Sequence, residues 1–545
     1  MTETELIIRY GASGETRHLT LTAKSAEHSL TDVLALHGVP LNTRCGQRGW
    51  CKGCQVELLE GNLAGPDGET ADAGSKVKSC RMRLVPGSRV VLCIPETTRL
   101  GLAPQVGETF EINVPYQIDP LFPPSGARDT AFAVDVGTTT VVVMLVDLTT
   151  GTMLSRAGGF NAQIRYGDNV LTRIGAATSP QVRQAMRRAL VEETLTPLLS
   201  KACERAGRPP ERLAGGTIAG NTTMLHILAD EDPTPLGIAP FTARFLEGRV
   251  LTSSGTGLAL DGLDPDLPLQ LLPGLSAYVG ADITAGVYAT GMTFDAEPAL
   301  LVDMGTNGEI VLHHDGRLIG CATAAGPAFE GSGLSSGTRA QAGAVETVRL
   351  GLDPFHLELE TIGGGPVTPE SGVCGSAYVD FLATARACGL LRSNGRFDRK
   401  RWTEIPEEHR MESDDGFALR LIAGGPRISE VDVAHLLQAK AAIGAGIETL
   451  LEVAGISAGQ VGRVYLAGGF GMHIDLAHAV AAGLLPGFAP DKVEVVGNTS
   501  LGGAVLTAID RSALAEMESL RTRIEVVELN LHEGFEDRYI DHLAL

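Results

Sequence analysis

Aromatic residues make up only 5% of this 545-residue chain, with 2 tryptophans, and its 44 lysines and arginines are outnumbered by 65 aspartates and glutamates. The shortage of basic residues leaves a formal charge of −21, which argues against binding nucleic acid or anionic membrane through bulk charge. No run of 18 uncharged apolar residues occurs, so no membrane-spanning helix is expected. The Met1–Tyr10 start has no basic stretch leading into an apolar one, so no secretory leader is expected and the protein reads as soluble and cytoplasmic. Glycine is the abundant residue, at 67 positions, well above its usual ~7% share. Its spread through a globular composition points to tight turns and close backbone approaches to a ligand. The length predicts several domains with a sizeable core.

Cysteine is scarce and unevenly placed. Five of the 9 cysteines (Cys45, Cys51, Cys54, Cys80, Cys93) lie in the first 93 residues, where 11 basic and 10 acidic residues give +1, so the remainder carries −22. Two physically different pieces have been joined. In the first, Leu6–Tyr10 and Arg17–Leu21 read as a hairpin, and SLTDVLALH from Ser29 as a helix. A glycine-rich loop follows, RCGQRGWCKGCQVELLEG, then a strand over Gln55–Leu59, the distant Cys80, and a closing strand over Arg89–Ile94. Three clustered cysteines and a distant fourth can converge as thiolates on a small inorganic centre, with Gly46, Gly49 and Gly53 aiming N–H groups at sulfur. A structural zinc site and disulfides are the other readings. Zinc usually takes two CxxC-like pairs, and disulfides are rare in a cytosolic chain of this size. Cys93, inside an apolar strand, is expected to be a buried thiol and no ligand. Arg44, Arg48, Lys52, Lys76, Lys78, Arg81 and Arg83 give the surroundings a basic face, suited to docking an acidic surface such as the rest of the chain.

The order hairpin, helix, Cys-rich loop, strand and distant cysteine resembles a plant-type 2Fe–2S ferredoxin. That resemblance implies a β-grasp fold and a 2Fe–2S cluster held by Cys45, Cys51, Cys54 and Cys80. The departure is a gap of five residues, where that family has four, between the first two cysteines. Residues 95–128 then carry Pro95, Pro104, Pro115, Pro120, Pro123 and Pro124, which predicts a semi-rigid connector outside any packed domain.

The acidic remainder contains two near-copies of one pattern. AFAVDVGTTTVVVMLVD (131–147) and ALLVDMGTNGEIVLH (299–313) each place an Asp-Gly turn between apolar strands. Such a turn can wrap phosphate with backbone N–H groups while its carboxylate holds Mg²⁺ or water. Later, VYLAGGFGM (464–472) ends an apolar strand in a glycine turn where bare backbone can meet an adenosine. This ordered trio resembles the superfamily of acetate and sugar kinases, heat-shock chaperones and actin. The resemblance implies an α/β actin-like body of two ribonuclease-H-like lobes that binds ATP and Mg²⁺. Asp135, Gly137, Thr138 and Thr139 then match the first phosphate loop, and Asp303, Gly305, Thr306 and Asn307 the second. Gly468 and Gly469 match the adenosine turn. Asp135 and Asp303 are candidate catalytic groups, as is Glu330 in the loop TAAGPAFEGSG, which also reads as a helix-starting carboxylate. His226 is expected to sit on a helix face and Cys374 in the core.

The runs GNTTMLH, AAGPAFEG, VCGSAYVD and LAGGFG, joined to the ferredoxin-like module, resemble the reductive activators of corrinoid enzymes over residues 40–510. That family implies ATP-dependent passage of one electron from the cluster to Co(II), regenerating Co(I) for methyl transfer. It also implies a corrinoid protein of a methyltransferase system as partner, an electron donor such as a reductase, and a homodimer. The tail from Ala508 to Leu545 has no cysteine, which places the chain with the 2Fe–2S members. The expected domains are a ferredoxin module (1–95), a Pro-rich linker (96–128), a middle domain with the first loop (129–208) and a nucleotide-binding domain (209–545). A redox-regulated small-molecule kinase and a nucleotide-dependent binding scaffold are the alternatives.

Overall fold

The computed structural model describes residues 4–11, 15–41, 43, 47, 49, 53–65, 68–95, 98, 109–413, 416–469 and 474–545. The N-terminal unit is a five-stranded mixed sheet built from β1 (Thr4–Tyr10), β2 (Thr16–Leu21), β3 (Gln55–Glu60), β4 (Lys76–Lys78) and β5 (Arg89–Ile94), in the order β2-β1-β5-β3-β4. Its central pair, β1 and β5, is parallel, and every other neighbour is antiparallel. Leu6, Ile8, Val90 and Leu92 point inward against the short helix α1 (Leu30–Leu36), which contributes Leu30, Val33 and Leu34. The Ser29 hydroxyl starts that helix by accepting the Asp32 N–H at 3.1 Å. Antiparallel pairing of Gln55 with Lys78 brings Cys54 and Cys80 to the same end of the sheet despite their separation in sequence.

The expected unpacked connector does not extend through residues 109–128. Backbone N–H groups of Glu111, Asn113, Asp119 and Leu121 donate to the carbonyls of Val496, Ala289, Ile509 and Ala508 at 2.9–3.2 Å. The prolines break regular structure, but the N–H groups between them are satisfied by the body, and Phe122 is buried there. Residues 96–108, Thr98 apart, lie outside the described residues.

The body contains two sheets of repeated topology. The first uses β6 (Thr130–Val136), β7 (Thr140–Asp147), β8 (Met153–Phe160), β9 (Leu213–Gly220), β10 (Arg249–Thr252) and β11 (Pro268–Leu271), ordered β8-β7-β6-β9-β11-β10. The second uses β12 (Ala299–Met304), β13 (Gly308–His314), β14 (Arg317–Thr323), β15 (Arg463–Ala467), β16 (Val493–Gly497) and β17 (Ile524–Val526), ordered β16-β15-β12-β13-β14-β17. In each, three strands form an antiparallel meander and two later strands add in parallel beside the first. The first strands are covered on both faces, which is why their sequences run apolar without alternation. Because β9 pairs with β6, a boundary at residue 208 would cut this sheet, and the first lobe continues past it.

Five helices bear on the site: α2 (Val170–Ala176), α3 (Thr222–Leu228), α4 (Ala281–Thr290), α5 (Glu430–Ala454) and α6 (Thr499–Ile509). A capping box at Ser429 opens the long α5, and Gly455 in the left-handed conformation closes it. No helix among the described residues is long and apolar enough to cross a membrane.

Candidate functional site

Both Asp-Gly turns open into one cleft with a cavity volume of about 210 Å³. Asp135 and Asp303 each sit one residue before the end of their strands, β6 and β12, and the chain then reverses into the next strand. The first turn is closed by the Gly137 N–H donating to Thr140 O at 3.0 Å, the second by Gly305 N–H to Asn307 O at 3.0 Å. A Cβ at Gly137 would lie 2.6 Å from the Thr140 carbonyl oxygen, so only glycine fits the first turn. Gly468, at φ +94°, abuts the second turn, and a Cβ there would lie 2.4 Å from Met304 O. All the expected phosphate-loop residues and Gly468 and Gly469 line this cleft. Phe470 to His473 lie outside the described residues.

Glu330 joins the two turns. Its carboxylate accepts the Thr139 hydroxyl at 3.1 Å and the Thr306 hydroxyl at 3.0 Å, and those two hydroxyls are 3.1 Å apart. Around this clasp stand four more carboxyl groups: Asp135, Asp282, Asp303 and Glu309. Burial, with the charges of Asp303 and Asp135, pushes Asp282 up to about 7. Burial and Asp135 likewise push Asp303 up to about 7. Glu309 is driven well above the usual carboxylate range by burial and by Asp282 and Asp303. Asp135 is also raised by burial, but two donors oppose the rise: Asn498 Nδ2 at 2.9 Å and Ser500 Oγ at 2.7 Å. Enclosed carboxylates that repel one another are stabilised by a divalent cation, and this donor set of hard oxygens fits Mg²⁺.

Sequence reasoning missed Asp282, Glu309, Asn221, Asn498 and Ser500. One signal was available: Gly-Asn-Thr recurs at 220–222 and 497–499. In both copies the asparagine oxygen caps a helix, accepting Met224 N–H at 3.0 Å and Leu501 N–H at 2.9 Å. The amide nitrogen of each then fixes the first loop, Asn221 on Thr138 Oγ1 at 2.9 Å and Asn498 on Asp135. His226 is a core residue, with Nδ1–H donating to Thr222 O at 2.7 Å and Nε2 accepting the Arg244 N–H at 3.0 Å. Cys374 is buried at the cleft wall, and burial pushes its thiol up to about 12.

At the other end of the chain, Cys54 and Cys80 are buried neighbours, and hydrogen bonding from Cys80 brings the Cys54 thiol down to about 6. A thiol held this low is a ready metal-binding thiolate. Ser79 fixes the pair by donating its backbone N–H to Cys54 O at 3.1 Å and its hydroxyl to the same oxygen at 2.9 Å. Gln47 ties the loop to the start of α1 through Asp32 at 2.7 Å. Cys45, Cys51, Arg44, Arg48 and Lys52 lie outside the described residues. Of the described basic groups, Lys78 turns its ammonium onto the Gly49 carbonyl. Cys93, expected to be buried, is only half-buried; partial burial and the charge of Glu57 raise its thiol against the opposing charge of Arg9.

Two family models match: "RACo middle region" over residues 130–295 and "C-terminal domain of RACo the ASKHA domain" over residues 297–545. The corrinoid activation enzyme RamQ of Eubacterium limosum is 28% identical over 585 aligned positions, spanning 95% of this chain and 96% of that protein. The [Co(II) methylated amine-specific corrinoid protein] reductase of Methanosarcina barkeri is 28% identical over 295 positions, half of each chain. Among solved structures, a reductive activator for a corrinoid, iron-sulfur protein superposes with a TM-score of 0.71 at 27% identity, covering 99% of this chain and 98% of that one.

Proposed function

The chain belongs to the RACo family of corrinoid activators, and from that premise we propose that it uses ATP to drive one-electron reduction of a partner corrinoid protein. The reaction converts Co(II) to Co(I), with the electron replaced by an external reductase in the cytoplasm. The N-terminal unit serves as a β-grasp ferredoxin module and the two-lobed body as the ATPase. The observation that carries this reading is the convergence of both Asp-Gly turns, from two topologically repeated sheets, on one carboxylate-rich cleft.

When bound, a plant-type 2Fe–2S cluster supplies single electrons at roughly −400 mV. Cys54 and Cys80, with Cys45 and Cys51 completing the set, hold it as thiolates. Ser79 holds the Cys54 backbone in place. In the body, Asp303 and Asp282 hold Mg²⁺, whose charge keeps both ionised at neutral pH. Asp135, fixed by Asn498 and Ser500, orients water. Backbone N–H groups of the two turns receive phosphate, while Gly468 and Gly469 leave room for adenosine. Thr139 and Thr306, bridged by Glu330, connect the lobes, so a change of phosphate occupancy reaches both sheets. Each ~59 mV by which Co(II) is harder to reduce than the cluster is a tenfold equilibrium penalty, and nucleotide-driven rearrangement is what offsets it.

The test is to mix anaerobically reduced protein with a Co(II) corrinoid protein, with and without ATP, and to follow the visible spectrum. ATP-dependent Co(I), or methyl-Co(III) when a methyl donor is present, is expected. Its absence, with phosphorylation of a metabolite instead, would turn the assignment to a kinase. Cys80→Ser and Cys51→Ser are expected to lose iron and colour, and Cys93→Ser to keep both.

A further inference from the structure

Behind the first Asp-Gly turn lies a positive charge that the roles above leave unused. Arg173, on α2, has no exposed surface. Its guanidinium donates to Gly167 O at 3.0 Å, Gln163 Oε1 at 3.1 Å, Met224 Sδ at 3.2 Å and the carbonyl of Thr138. Every one of these acceptors is neutral. Burying a guanidinium among neutral acceptors is unfavourable, and burial brings Arg173 down to about 9 although the charge of Asp168 opposes the fall. A second arginine acts against it: the charge of Arg339 also opposes protonation of Arg173. Arg339 comes from the second lobe, lines the cleft, and lies over the Phe160 ring at 5.2 Å. Phe160 faces Thr140 in the β7–β8 register, so Arg339 is held beside the first turn. Among the described residues lining the cleft, it is the lone lysine or arginine against five carboxyl groups.

Two like charges from opposite lobes, one of them fully buried, therefore flank a single turn. Asp168 offsets part of that repulsion, and an anion against the turn adds an attraction to both guanidinium groups. The neighbours of Arg173 are themselves fixed: Asn161 Nδ2 donates to Gly137 O at 3.0 Å, and Gln163 Nε2 to Met186 O at 3.0 Å. Positive charge beside the first turn favours the added negative charge of a terminal phosphate.

We propose that Arg339 and Arg173 form the recognition pair for the terminal phosphate of a nucleoside triphosphate, Arg339 by contact and Arg173 as a positioning residue acting through the Thr138 carbonyl. The proposal rests on the reading of the cleft as a nucleotide site. It makes the first turn the sensor of triphosphate against diphosphate. A guanidinium suits the task because its planar donors match phosphate oxygens two at a time.

The test is equilibrium binding of Mg-ATP, Mg-ADP and adenosine to the full-length protein, alone and as Arg339→Gln, Arg339→Lys, Arg173→Gln and Arg173→Lys. Arg339→Gln is expected to weaken Mg-ATP at least tenfold, Mg-ADP by less than threefold, and adenosine not at all. Arg339→Lys should recover part of the Mg-ATP loss. Arg173→Lys, which keeps the charge, should retain the preference for Mg-ATP over Mg-ADP better than Arg173→Gln. Should Arg173→Gln fail to fold, Arg173→Lys and both Arg339 variants still decide the matter. Equal weakening of all three ligands, or none, in the Arg339 variants overturns the pair while leaving the nucleotide site intact. A wild-type chain that binds no Mg-ATP overturns the nucleotide reading, and the pair with it.

Discussion

The two Asp-Gly turns are near-copies in sequence and sit at matching places in repeated sheets, yet their surroundings are opposite. The first is fixed from every side. Asn498 and Ser500 hold Asp135, Asn221 holds Thr138, Asn161 holds the Gly137 carbonyl, and Arg173 holds the Thr138 carbonyl. The second is held mainly by its own reversal and by Glu330 on Thr306, while Asp303 faces other carboxyl groups. Two similar turns thus stand in different surroundings. The rigid turn is suited to aligning water and phosphate. The carboxylate of the second turn, raised by burial and by Asp135, is suited to taking a cation and changing its charge state when it does.

The largest expected difference is in metal-dependent turnover. Asp303→Asn removes the carboxylate proposed to hold Mg²⁺ and should lower ATP hydrolysis by roughly 10²–10³-fold, the scale of losing one preorganised electrostatic contact. Mg²⁺ titration should not restore it. Asp135→Asn keeps a hydrogen-bonding group beside Asn498 and Ser500, and its loss of turnover should leave the Mg²⁺ dependence of nucleotide binding unchanged. Steady-state hydrolysis and Mg²⁺-dependent binding measured on both variants check this. Identical behaviour of the two would break the division of labour.

The same division has a pH signature in the metal-free protein. Asp303 and Asp282 titrate near 7 in the fold and near 4 when unfolded. The native state therefore binds more protons across that window, and these groups' contribution to stability falls as pH rises from about 4 through 7. Asp303→Asn is neutral throughout, so relative to wild type it should become progressively more stable between pH 5 and 8. The gain is on the order of a few kcal/mol at most. Added Mg²⁺ should abolish that gain by stabilising the wild-type carboxylates. Thermal melts at both pH values, with and without Mg²⁺, are the measurement, and a pH-independent difference would count against carboxyl groups raised by burial and by one another.

Backbone geometry separates the turns by a smaller amount. Gly137→Ala forces a methyl to 2.6 Å from a carbonyl oxygen, whereas the nearest atom to a methyl at Gly305 is 3.9 Å away. The first substitution should destabilise the protein by about 1–3 kcal/mol, as overpacking does. The second should stay within about 0.5 kcal/mol, the range of substitutions that touch nothing. Denaturant unfolding of both variants would show the asymmetry directly, and equal effects would break it.

The turns themselves were legible because their signal is local: an apolar strand, an Asp-Gly reversal and another apolar strand, twice. The late glycine turn was legible for the same reason, whereas His226, expected on a helix face, is wholly buried on α3. What surrounds the turns was not. Asp282 lies in the first turn of a helix 21 residues before Asp303, and only packing of α4 beside both sheets makes it a member of the carboxylate group. Arg173 and Arg339 reach the first turn from different lobes, a relation no spacing encodes. The strapping of residues 109–128 was misread because proline content reports what regular structure a segment cannot form. It does not report which carbonyls will satisfy the N–H groups that remain. The extent of the first lobe was misread for a related reason, since β9 joins β6 across two strands and a run of helical segments over residues 162–212.

The repeated Gly-Asn-Thr gives the finest test of the comparison, because the two asparagines share one role and differ in a second. Each caps a helix, α3 or α6, so replacing either by alanine should destabilise the protein by about 1 kcal/mol through the lost cap. Beyond that the two diverge. Asn221 also donates to a hydroxyl, Thr138 Oγ1, which can turn to another partner. Asn498 donates to the enclosed carboxylate of Asp135, which is left with Ser500 alone when the amide goes. With one donor fewer, burial raises Asp135 further, and the pH at which hydrolysis reaches half its maximum should move upward in Asn498→Ala and stay in place in Asn221→Ala. Asn498→Asp would put a second carboxyl group against Asp135 and should move it further still. Matched pH–rate profiles of the three variants decide whether the first turn is fixed for its shape alone or for the charge state of its aspartate, since a purely structural clamp would leave all three profiles superimposed.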